Sequence, residues 1–218
     1  MKKVFSLLIA ALLSLTVLSV TAHADYYTDN TMLSYGMRNN EVKNLQNDLK
    51  NLGYFSATST GYFGNITRNS VRSYQRANGL AVDAIVGRQT SRAIKVARVV
   101  QIAKANLGRP YLWGGATVSG FDCSGFTQYV FKNARLTLPR TAAQQYTQGT
   151  WVNKSNLRVG DLVFFTTYAA GASHVGIYLG NDQFIHASSG AGKIVISKLF
   201  SNSYYSSHYI GAKRMLPY

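Results

Sequence analysis

The chain has 218 residues and carries 23 lysines and arginines against 8 aspartates and glutamates, which gives a formal net charge of +15. The apolar content is ordinary for a globular protein, and the length allows one large domain or two small ones. A single cysteine excludes an internal disulfide, and the charge favours an anionic partner such as a polymer, a lipid surface or nucleic acid.

Residues 1–24 have the pattern of a cleavable secretory signal peptide. Lys2 and Lys3 precede an almost unbroken apolar run over residues 4–20, and small residues at positions 22 and 24 suit a signal-peptidase site. The alternative is an uncleaved N-terminal membrane helix. Cleavage would leave a chain that begins at Asp25, with a charge of about +13 and no stable membrane anchor.

Export and charge together narrow the choice of partner. An exported protein rarely meets nucleic acid, and the basic residues are scattered rather than clustered in a stripe, so nucleic acid is the least favoured partner. The anionic polymers of a bacterial cell wall suit an exported cationic chain better, so we expect a secreted, wall-associated protein. The alternative is that the charge serves only solubility.

Residues 33–95 have helical periodicity and predict a small three-helix domain. Apolar residues recur at helical spacing in the first helix, at Val42, Leu45, Leu49 and Leu52. Gly53 ends this helix, Asn78-Gly79 ends the second, and the third begins near Arg88 and ends before Val99. The segment has no cluster of His, Cys or acidic residues, which indicates a binding module rather than an enzyme.

The same segment resembles the type 1 peptidoglycan-binding domain. The resemblance rests on Leu45-Gln46, Leu52-Gly53-Tyr54, Phe63-Gly64, Tyr74-Gln75, Gly79-Leu80, Asp83 and Val86-Gly87. Ala84 stands where that family usually has glycine, so we expect an altered local turn within an intact fold. The resemblance implies a module that anchors the chain to peptidoglycan, although it identifies no ligand contacts. The alternative is a helical unit that only packs against its neighbour.

Residues 99–218 predict an α+β domain with an antiparallel sheet. Residues 95–99 contain no proline or glycine, so the two modules share either a continuous helix or a tight joint. A helix that carries Val100, Ile102, Ala103 and Leu107 is predicted to end at Gly108, and further helices are predicted at about 123–133 and 142–147. Short alternating or apolar segments predict strands at 162–165, 175–179, 184–187, 194–197 and 209–214. Helices followed by strands in one compact domain are typical of an α+β fold.

Cys123 is predicted to lie in the first turn of a helix. Backbone N–H groups and the helix dipole favour a thiolate there, and the same N–H groups can stabilise an oxyanion. Gly125 would leave room for substrate near the sulfur. A lone thiol outside the cell is open to oxidation, so its retention suggests a chemical role. A buried, inert cysteine is the alternative.

Two histidines are candidates for the base that a cysteine nucleophile requires. His174 begins one predicted strand and His186 ends the next, so a hairpin would bring their imidazoles together. His208 has no such partner and is expected to be a surface or packing residue. A metal site formed by Cys123 and the two histidines is the competing chemistry, but it lacks a close ligand pair, so no metal is expected.

These residues belong to a set of blocks that resembles the NlpC/P60 family of papain-like cysteine peptidases. The blocks are Pro110-Tyr111, Trp113-Gly114-Gly115, Asp122-Cys123-Ser124-Gly125-Phe126, Leu138-Pro139-Arg140-Thr141-Ala142, Gly160-Asp161-Leu162-Val163-Phe164-Phe165, Ser173-His174-Val175-Gly176-Ile177-Tyr178 and Phe184-Ile185-His186-Ala187. The resemblance implies Cys123 as nucleophile, His174 as general base and acid, and His186 as the orienting residue. It also implies that the Tyr111 hydroxyl and the Cys123 N–H form the oxyanion hole.

The resemblance further implies a substrate and its contacts. Asp122, Ser124 and Trp113 are expected to bind substrate, with Asp122 near its amino group, whereas Arg140 and Asp161 are expected to be scaffold residues. The usual substrate is the stem peptide of peptidoglycan, cut between D-glutamate and the following diamino acid without a cofactor. We expect a monomer. An amidase or acyltransferase on the same fold and a non-catalytic wall-binding protein are the alternatives.

Overall fold

The computed structural model describes residues 32–216. The predicted signal peptide, residues 1–24, lies outside the described residues. The helices are α1 (Asn40–Asn51), α2 (Asn65–Ala77), α3 (Arg88–Lys104), α4 (Cys123–Asn133), α5 (Ala142–Tyr146) and α6 (Ser203–His208). The strands are β1 (Ala116–Thr117), β2 (Gly120–Phe121), β3 (Thr150–Val152), β4 (Leu162–Phe165), β5 (His174–Gly180), β6 (Gln183–Ser188), β7 (Lys193–Lys198) and β8 (Tyr209–Arg214).

The first three helices surround a small apolar core. The side chain of Asn39 accepts a hydrogen bond from the N–H of Val42 at 2.9 Å, which caps the start of α1. Gly53 follows the end of α1 with φ at 83°, a conformation that glycine adopts without strain. The shared core contains Leu33, Val42, Leu45, Leu49, Phe55, Phe63, Val71, Tyr74, Val86 and Ile94. The predicted helical spacing of α1 therefore identifies its buried face correctly.

The turn before α3 contains Ala84 in the left-handed region, at φ 62°. The sequence predicts an altered turn at this position, and the chain adopts there the conformation that glycine favours. Two contacts hold the turn: the Ala84 N–H donates to Gln75 Oε1 at 3.0 Å, and Gln75 Nε2 donates to Asp83 Oδ1 at 2.8 Å. The left-handed conformation of an L-residue costs about 1 kcal/mol, so this turn is locally strained.

The third helix is longer than the sequence predicts. Its expected end before Val99 is wrong, because α3 continues to Lys104. Ile94 packs in the core of the first three helices, whereas Val99 and Ala103 pack in the core beneath the sheet. Since no glycine or proline interrupts this stretch, the continuous-helix alternative is the one observed.

Strands β3 to β8 form a six-stranded sheet in the order β3-β8-β4-β5-β6-β7, with every neighbouring pair antiparallel. The predicted α+β class with an antiparallel sheet is therefore confirmed. Helix α4 packs against β5 and β6, where Phe126 shares a core with Val175 and Ile185. On the other face, Tyr205 of α6 packs against Phe165. Among residues 32–216, no helix has the length and apolar character needed to cross a membrane.

Several short elements were not predicted from the sequence. The strands β1 and β2 have two residues each and β3 has three, too few for alternation to be visible. Helix α6 has no apolar period, and it begins where the side chain of Asn202 accepts a hydrogen bond from the N–H of Tyr205 at 3.2 Å. These elements depend on capping and tertiary packing rather than on a hydrophobic pattern.

Candidate active site

Cys123 is the first residue of α4 and lies against the start of β5. Its side chain is buried, and Sγ lies 3.8 Å from the carbonyl oxygen of Ser173. The sulfur also interacts with the backbone N–H of Val175. Because Ser173 and Val175 flank His174 in the chain, Cys123 contacts the backbone on both sides of that histidine.

Burial controls the protonation of this thiol. Burial, followed by the negative charge of Asp122, raises the pKa of Cys123 to about 11. The backbone N–H groups of Val175, Ser124 and Cys123 lower the pKa but do not outweigh these two effects. The sequence predicts that the helix N-terminus favours a thiolate; the N–H groups of the first turn do act in that direction on the pKa of Cys123, but burial outweighs them. The resting nucleophile is a neutral thiol near pH 7.

His174 and His186 lie side by side on neighbouring strands. His174 Nε2 is 2.9 Å from His186 Nδ1, and the two rings are perpendicular. A side chain at Gly176 would meet Phe184 at 2.6 Å and His186 at 3.1 Å, so glycine is required for this close approach of β5 and β6. The hairpin predicted from the sequence does bring the two imidazoles together.

Both imidazoles are neutral in this environment. Burial lowers the pKa of His174 to about 4. Burial also lowers the pKa of His186 well below its ordinary value, and the neighbouring His174 acts in the same direction. The pair therefore provides an uncharged base near pH 7, next to an uncharged thiol.

Two further residues, neither of them predicted from the sequence, contact the far nitrogen of His186. His186 Nε2 is 3.0 Å from Ser197 Oγ and 3.3 Å from Tyr205 Oη. The alternation of side chains along a strand could have indicated Ser197. In the β6–β7 hairpin His186 pairs with Val195, and Ser197, two residues after Val195, lies on the same face of the sheet. No sequence pattern indicates Tyr205, since α6 is recognisable only in the structure.

Asp122 connects the loop before α4 to the helix itself. Its Oδ1 accepts from the N–H of Gly125 at 2.6 Å, and its Oδ2 accepts from the N–H of Gly114 at 3.0 Å. Arg140 forms a two-pronged ion pair with both oxygens, at 3.0 and 2.5 Å, and donates to Ser124 Oγ at 3.0 Å. The predicted contacts of Asp122 and Ser124 with substrate stay predictions. A substrate amino group would have to share a carboxylate that is already engaged by protein donors.

Gly125 has a different role from the one predicted. A side chain there would lie 2.1 Å from the carbonyl oxygen of Gly115 and 3.1 Å from Ala116. The expectation that Gly125 leaves room for substrate is therefore wrong, since the backbone of residues 115–116 fills that space. Gly125 instead allows this loop to pack directly on α4.

Two tyrosines interact with the thiol, and a tryptophan packs against one of them. Burial, with added effects of Cys123 and Asp122, raises the pKa of the Tyr111 hydroxyl, which places that hydroxyl in the same electrostatic environment as the nucleophile. Trp113 and Tyr168 are 67% and 65% exposed and meet edge to face at 5.1 Å between ring centroids. Burial, with added effects of Cys123 and Asp122, also raises the pKa of the Tyr168 hydroxyl, a residue that was not predicted from the sequence.

The other polar residues singled out in the sequence lie outside this cluster. His208 ends α6, where Nδ1 is 2.6 Å from the carbonyl oxygen of Tyr204. Asp161 forms a buried ion pair with Arg214 of β8 at 2.7 Å, which ties the start of β4 to its neighbouring strand. In the part of the chain that the structure describes, no group of three or more His, Cys, Asp or Glu side chains could hold a metal ion.

A cysteine at a helix N-terminus beside histidines on an antiparallel sheet is the architecture of the papain-like thiol enzymes. Residues 108–214 match the model of one group of them, the NlpC/P60 family, so this part of the chain is an NlpC/P60 domain. Residues 38–94 match a second family model, described as a putative peptidoglycan binding domain. Both resemblances drawn from the sequence are therefore confirmed.

Three curated relatives illustrate this similarity. The chain is 49% identical over 125 residues to the probable peptidoglycan endopeptidase LytE of Bacillus subtilis, covering 56% of this chain and 35% of that protein. It is 48% identical over 119 residues to the gamma-DL-glutamyl hydrolase of Bacillus subtilis, covering 53% and 28%. It is 38% identical over 151 residues to the murein DD-endopeptidase MepH of Escherichia coli, covering 67% and 54%. The chain thus spans between about a quarter and about half of the length of these relatives.

Proposed function

We propose that this chain is a secreted peptidoglycan hydrolase whose thiol, Cys123, cleaves the stem peptides of the bacterial cell wall. The observation that carries the proposal is the contact of this cysteine with the backbone on both sides of His174, whose ring is paired with His186 at 2.9 Å. The names of the three relatives support the same activity, since all describe hydrolases or endopeptidases and two name the wall polymer. The reaction needs no metal or organic cofactor.

The first step is transfer of the thiol proton to His174. His186 occupies the Nε2 nitrogen of His174, so Nδ1 is the nitrogen left for the thiol. Both groups start neutral, and transfer creates a thiolate and an imidazolium as the sulfur attacks the amide carbon. The imidazolium then protonates the leaving amine, and water hydrolyses the acyl-enzyme with His174 again acting as base.

The oxyanion formed in each step needs donors next to the sulfur. The N–H groups of Cys123 and Ser124 in the first turn of α4 interact with the sulfur, so we assign them as donors to the oxyanion, whereas the N–H of Gly125 donates to Asp122. We assign the Tyr111 hydroxyl as a further donor, because it shares the electrostatic environment of the thiol. A neutral phenol can donate a hydrogen bond to an oxyanion, and burial keeps Tyr111 neutral over a wide pH range.

Substrate binding is assigned to the open side of the cluster. Trp113 and Tyr168 present exposed rings, and Tyr168 interacts electrostatically with the nucleophile, while Asp122 and Ser124 flank the nucleophile in the chain. Arg140 adds positive charge next to Asp122, which suits a stem peptide that carries carboxylates. Peptidoglycan binding by residues 38–94 and the net positive charge would hold the enzyme at an anionic wall, and the pattern of residues 1–24 supports export.

The bond proposed is the one between D-glutamate and the following diamino acid. The gamma-DL-glutamyl hydrolase supports this bond by its name, whereas the name of MepH favours a D,D-crosslink as the second candidate. An amidase or acyltransferase would use the same thiol to attack a different bond. A non-catalytic wall protein would cleave no bond. These readings differ in their products.

The test is digestion of purified peptidoglycan by the reduced chain without residues 1–24, followed by mass spectrometry. Peptides that begin with the free amine of the diamino acid support the proposal, and separation of crosslinked dimers into intact stems supports the D,D alternative. Whole stems released from sugar indicate an amidase. Cys123→Ala should abolish cleavage and retain wall binding, with Ser206→Ala on the surface of α6 as the matched control. Absence of any product from the reduced wild-type protein would contradict the proposed activity and each of its enzymatic alternatives.

A further inference from the structure

Beyond its contact with His174, His186 contacts a hydroxyl group to which the proposed reaction assigns no role. His186 is completely buried, and each of its nitrogens has a partner. Its Nδ1 lies 2.9 Å from His174 Nε2, and its Nε2 lies 3.0 Å from Ser197 Oγ and 3.3 Å from Tyr205 Oη. The side chain of His186 is fixed further by stacking on Phe184, with ring centroids 4.5 Å apart.

The protonation of His174 during the reaction determines which nitrogen of His186 must carry a proton. When the thiol proton moves to Nδ1 of His174, the S–H bond breaks, an N–H bond forms and both nitrogens of His174 carry protons. The facing atom, His186 Nδ1, must then be an acceptor. A neutral imidazole has one N–H, so the proton of His186 must be on Nε2.

A buried N–H at Nε2 requires an acceptor of its own, because an unpaired buried donor is costly. The oxygen of Ser197 is the nearer of the two hydroxyls, and β7 holds it rigidly because Ser197 pairs with Phe184 of β6. Tyr205 lies further away on α6 and packs its ring edge-on against His186. Both hydroxyls can accept, and Ser197 is better placed.

We propose that Ser197 is a positioning residue of this enzyme. It accepts the Nε2 proton of His186, with Tyr205 as an auxiliary acceptor, and so selects the tautomer in which His186 Nδ1 accepts from His174. No proton moves along this chain of contacts. Ser197 acts by keeping the pair ready to accept the proton of the Cys123 thiol. The inference rests on the proposed function, since it assigns a role within the same site.

The kinetic test compares Ser197→Ala, Ser197→Thr and Tyr205→Phe with Ser206→Ala, an exposed serine on α6. Loss of the acceptor should lower kcat about tenfold in Ser197→Ala with KM within about twofold of wild type. Ser197→Thr keeps the hydroxyl and should stay within about threefold of wild type. Tyr205→Phe alone should change kcat less than about threefold, but combined with Ser197→Ala it should lower kcat about tenfold more.

The second readout is independent of activity. Nitrogen NMR of the histidine rings in the Cys123→Ala chain distinguishes the Nε2–H tautomer from the Nδ1–H tautomer. We expect His186 to carry its proton on Nε2 and to lose this preference in Ser197→Ala but not in Ser197→Thr. An Nδ1–H tautomer in the unsubstituted ring pair, or wild-type kcat and tautomer in Ser197→Ala, would overturn the inference. If the wild-type protein cleaves nothing, the proposed function fails, and the tautomer measurement still decides the role of Ser197.

Discussion

Asp48 in α1 and Arg135, two residues beyond the end of α4, form an ion pair of 2.9 Å. The other oxygen of Asp48 accepts from Arg98 of α3 at 3.2 Å, and the Asp48 side chain is buried. Nearby, Gln101 donates to the carbonyl oxygen of Asn51 at 2.7 Å. One carboxylate therefore connects the first helix, the long shared helix α3 and the segment that follows the nucleophile helix.

Removing the charge of Asp48 should weaken this connection. In Asp48→Asn the guanidinium groups of Arg98 and Arg135 lose a buried anion, and we expect the free energy of unfolding to fall by about 2 kcal/mol, between the values for surface and buried pairs. Urea unfolding followed by circular dichroism measures the change. Glu41→Gln, on the same helix, changes the net charge by the same amount and should lower the free energy of unfolding by less than about 1 kcal/mol. Equal losses in the two variants would contradict a specific role for Asp48.

Much of the fold could be predicted because apolar residues reveal their buried faces. Leu45 and Leu49 define the inner face of α1, and Tyr209–Arg214 matches the predicted last strand. The joint at residue 99 could not be predicted with certainty, because the apolar pattern changes there while the helix continues. A change of the packing partner does not require a break in the backbone.

The candidate site, like the fold, could be predicted from the sequence only in part. Cys123, His174 and His186 could be identified because helix and strand boundaries place them. The structure pairs the two histidines and places the thiol against the backbone on both sides of His174. The protonation of the thiol could not be predicted, since burial and the charge of Asp122 depend on tertiary packing. Tyr168 was missed for a related reason, because only the folded loop brings its ring against another aromatic side chain.

Ala84 offers a direct test of backbone strain. At φ 62°, alanine has a steric strain that glycine lacks. Ala84→Gly should therefore raise the free energy of unfolding by about 0.5–1 kcal/mol, a value that allows for the greater freedom of glycine in the unfolded chain. Chemical denaturation gives the value. Ala97→Gly, inside α3, is the matched control and should lower stability by about 1 kcal/mol. A loss of stability in Ala84→Gly would show that the turn is not strained.

The exposed aromatic pair should affect substrate binding more than chemistry. Tyr168→Ala removes one ring and the edge-to-face support of Trp113, so we expect KM to rise about fivefold with kcat within about twofold of wild type. Tyr168→Phe keeps the ring and should behave like wild type, as should Tyr204→Phe, a surface tyrosine on α6. Steady-state kinetics on soluble stem peptides separate the two parameters. A fall in kcat with unchanged KM would instead indicate that Tyr168 acts on the transition state.

The neutral thiol and imidazole predict a broad pH profile of kcat/KM. Activity requires an unprotonated His174 and a Cys123 that still holds its proton in the free enzyme, so the acid limb should fall near pH 4 and the alkaline limb near pH 11. Initial rates at low substrate concentration give the profile, and samples returned to neutral pH show whether lost activity reflects titration or unfolding. An acid limb near pH 6.5, the ordinary value for histidine, would contradict burial of the base.

The same buried histidines should make the fold sensitive to mild acid. Because the folded pKa of His174 is about 4 and that of an unfolded histidine about 6.5, the unfolded chain binds more protons between these values. The stability from a neutral His174 is therefore fully present above about pH 6.5 and falls by about 3 kcal/mol as the pH drops to about 4, with His186 adding to the loss. Urea unfolding across this range measures the slope. His174→Gln should flatten it, whereas His208→Gln, outside the pair, should leave it unchanged; equal slopes in wild type and His174→Gln would show that the pair is not the source.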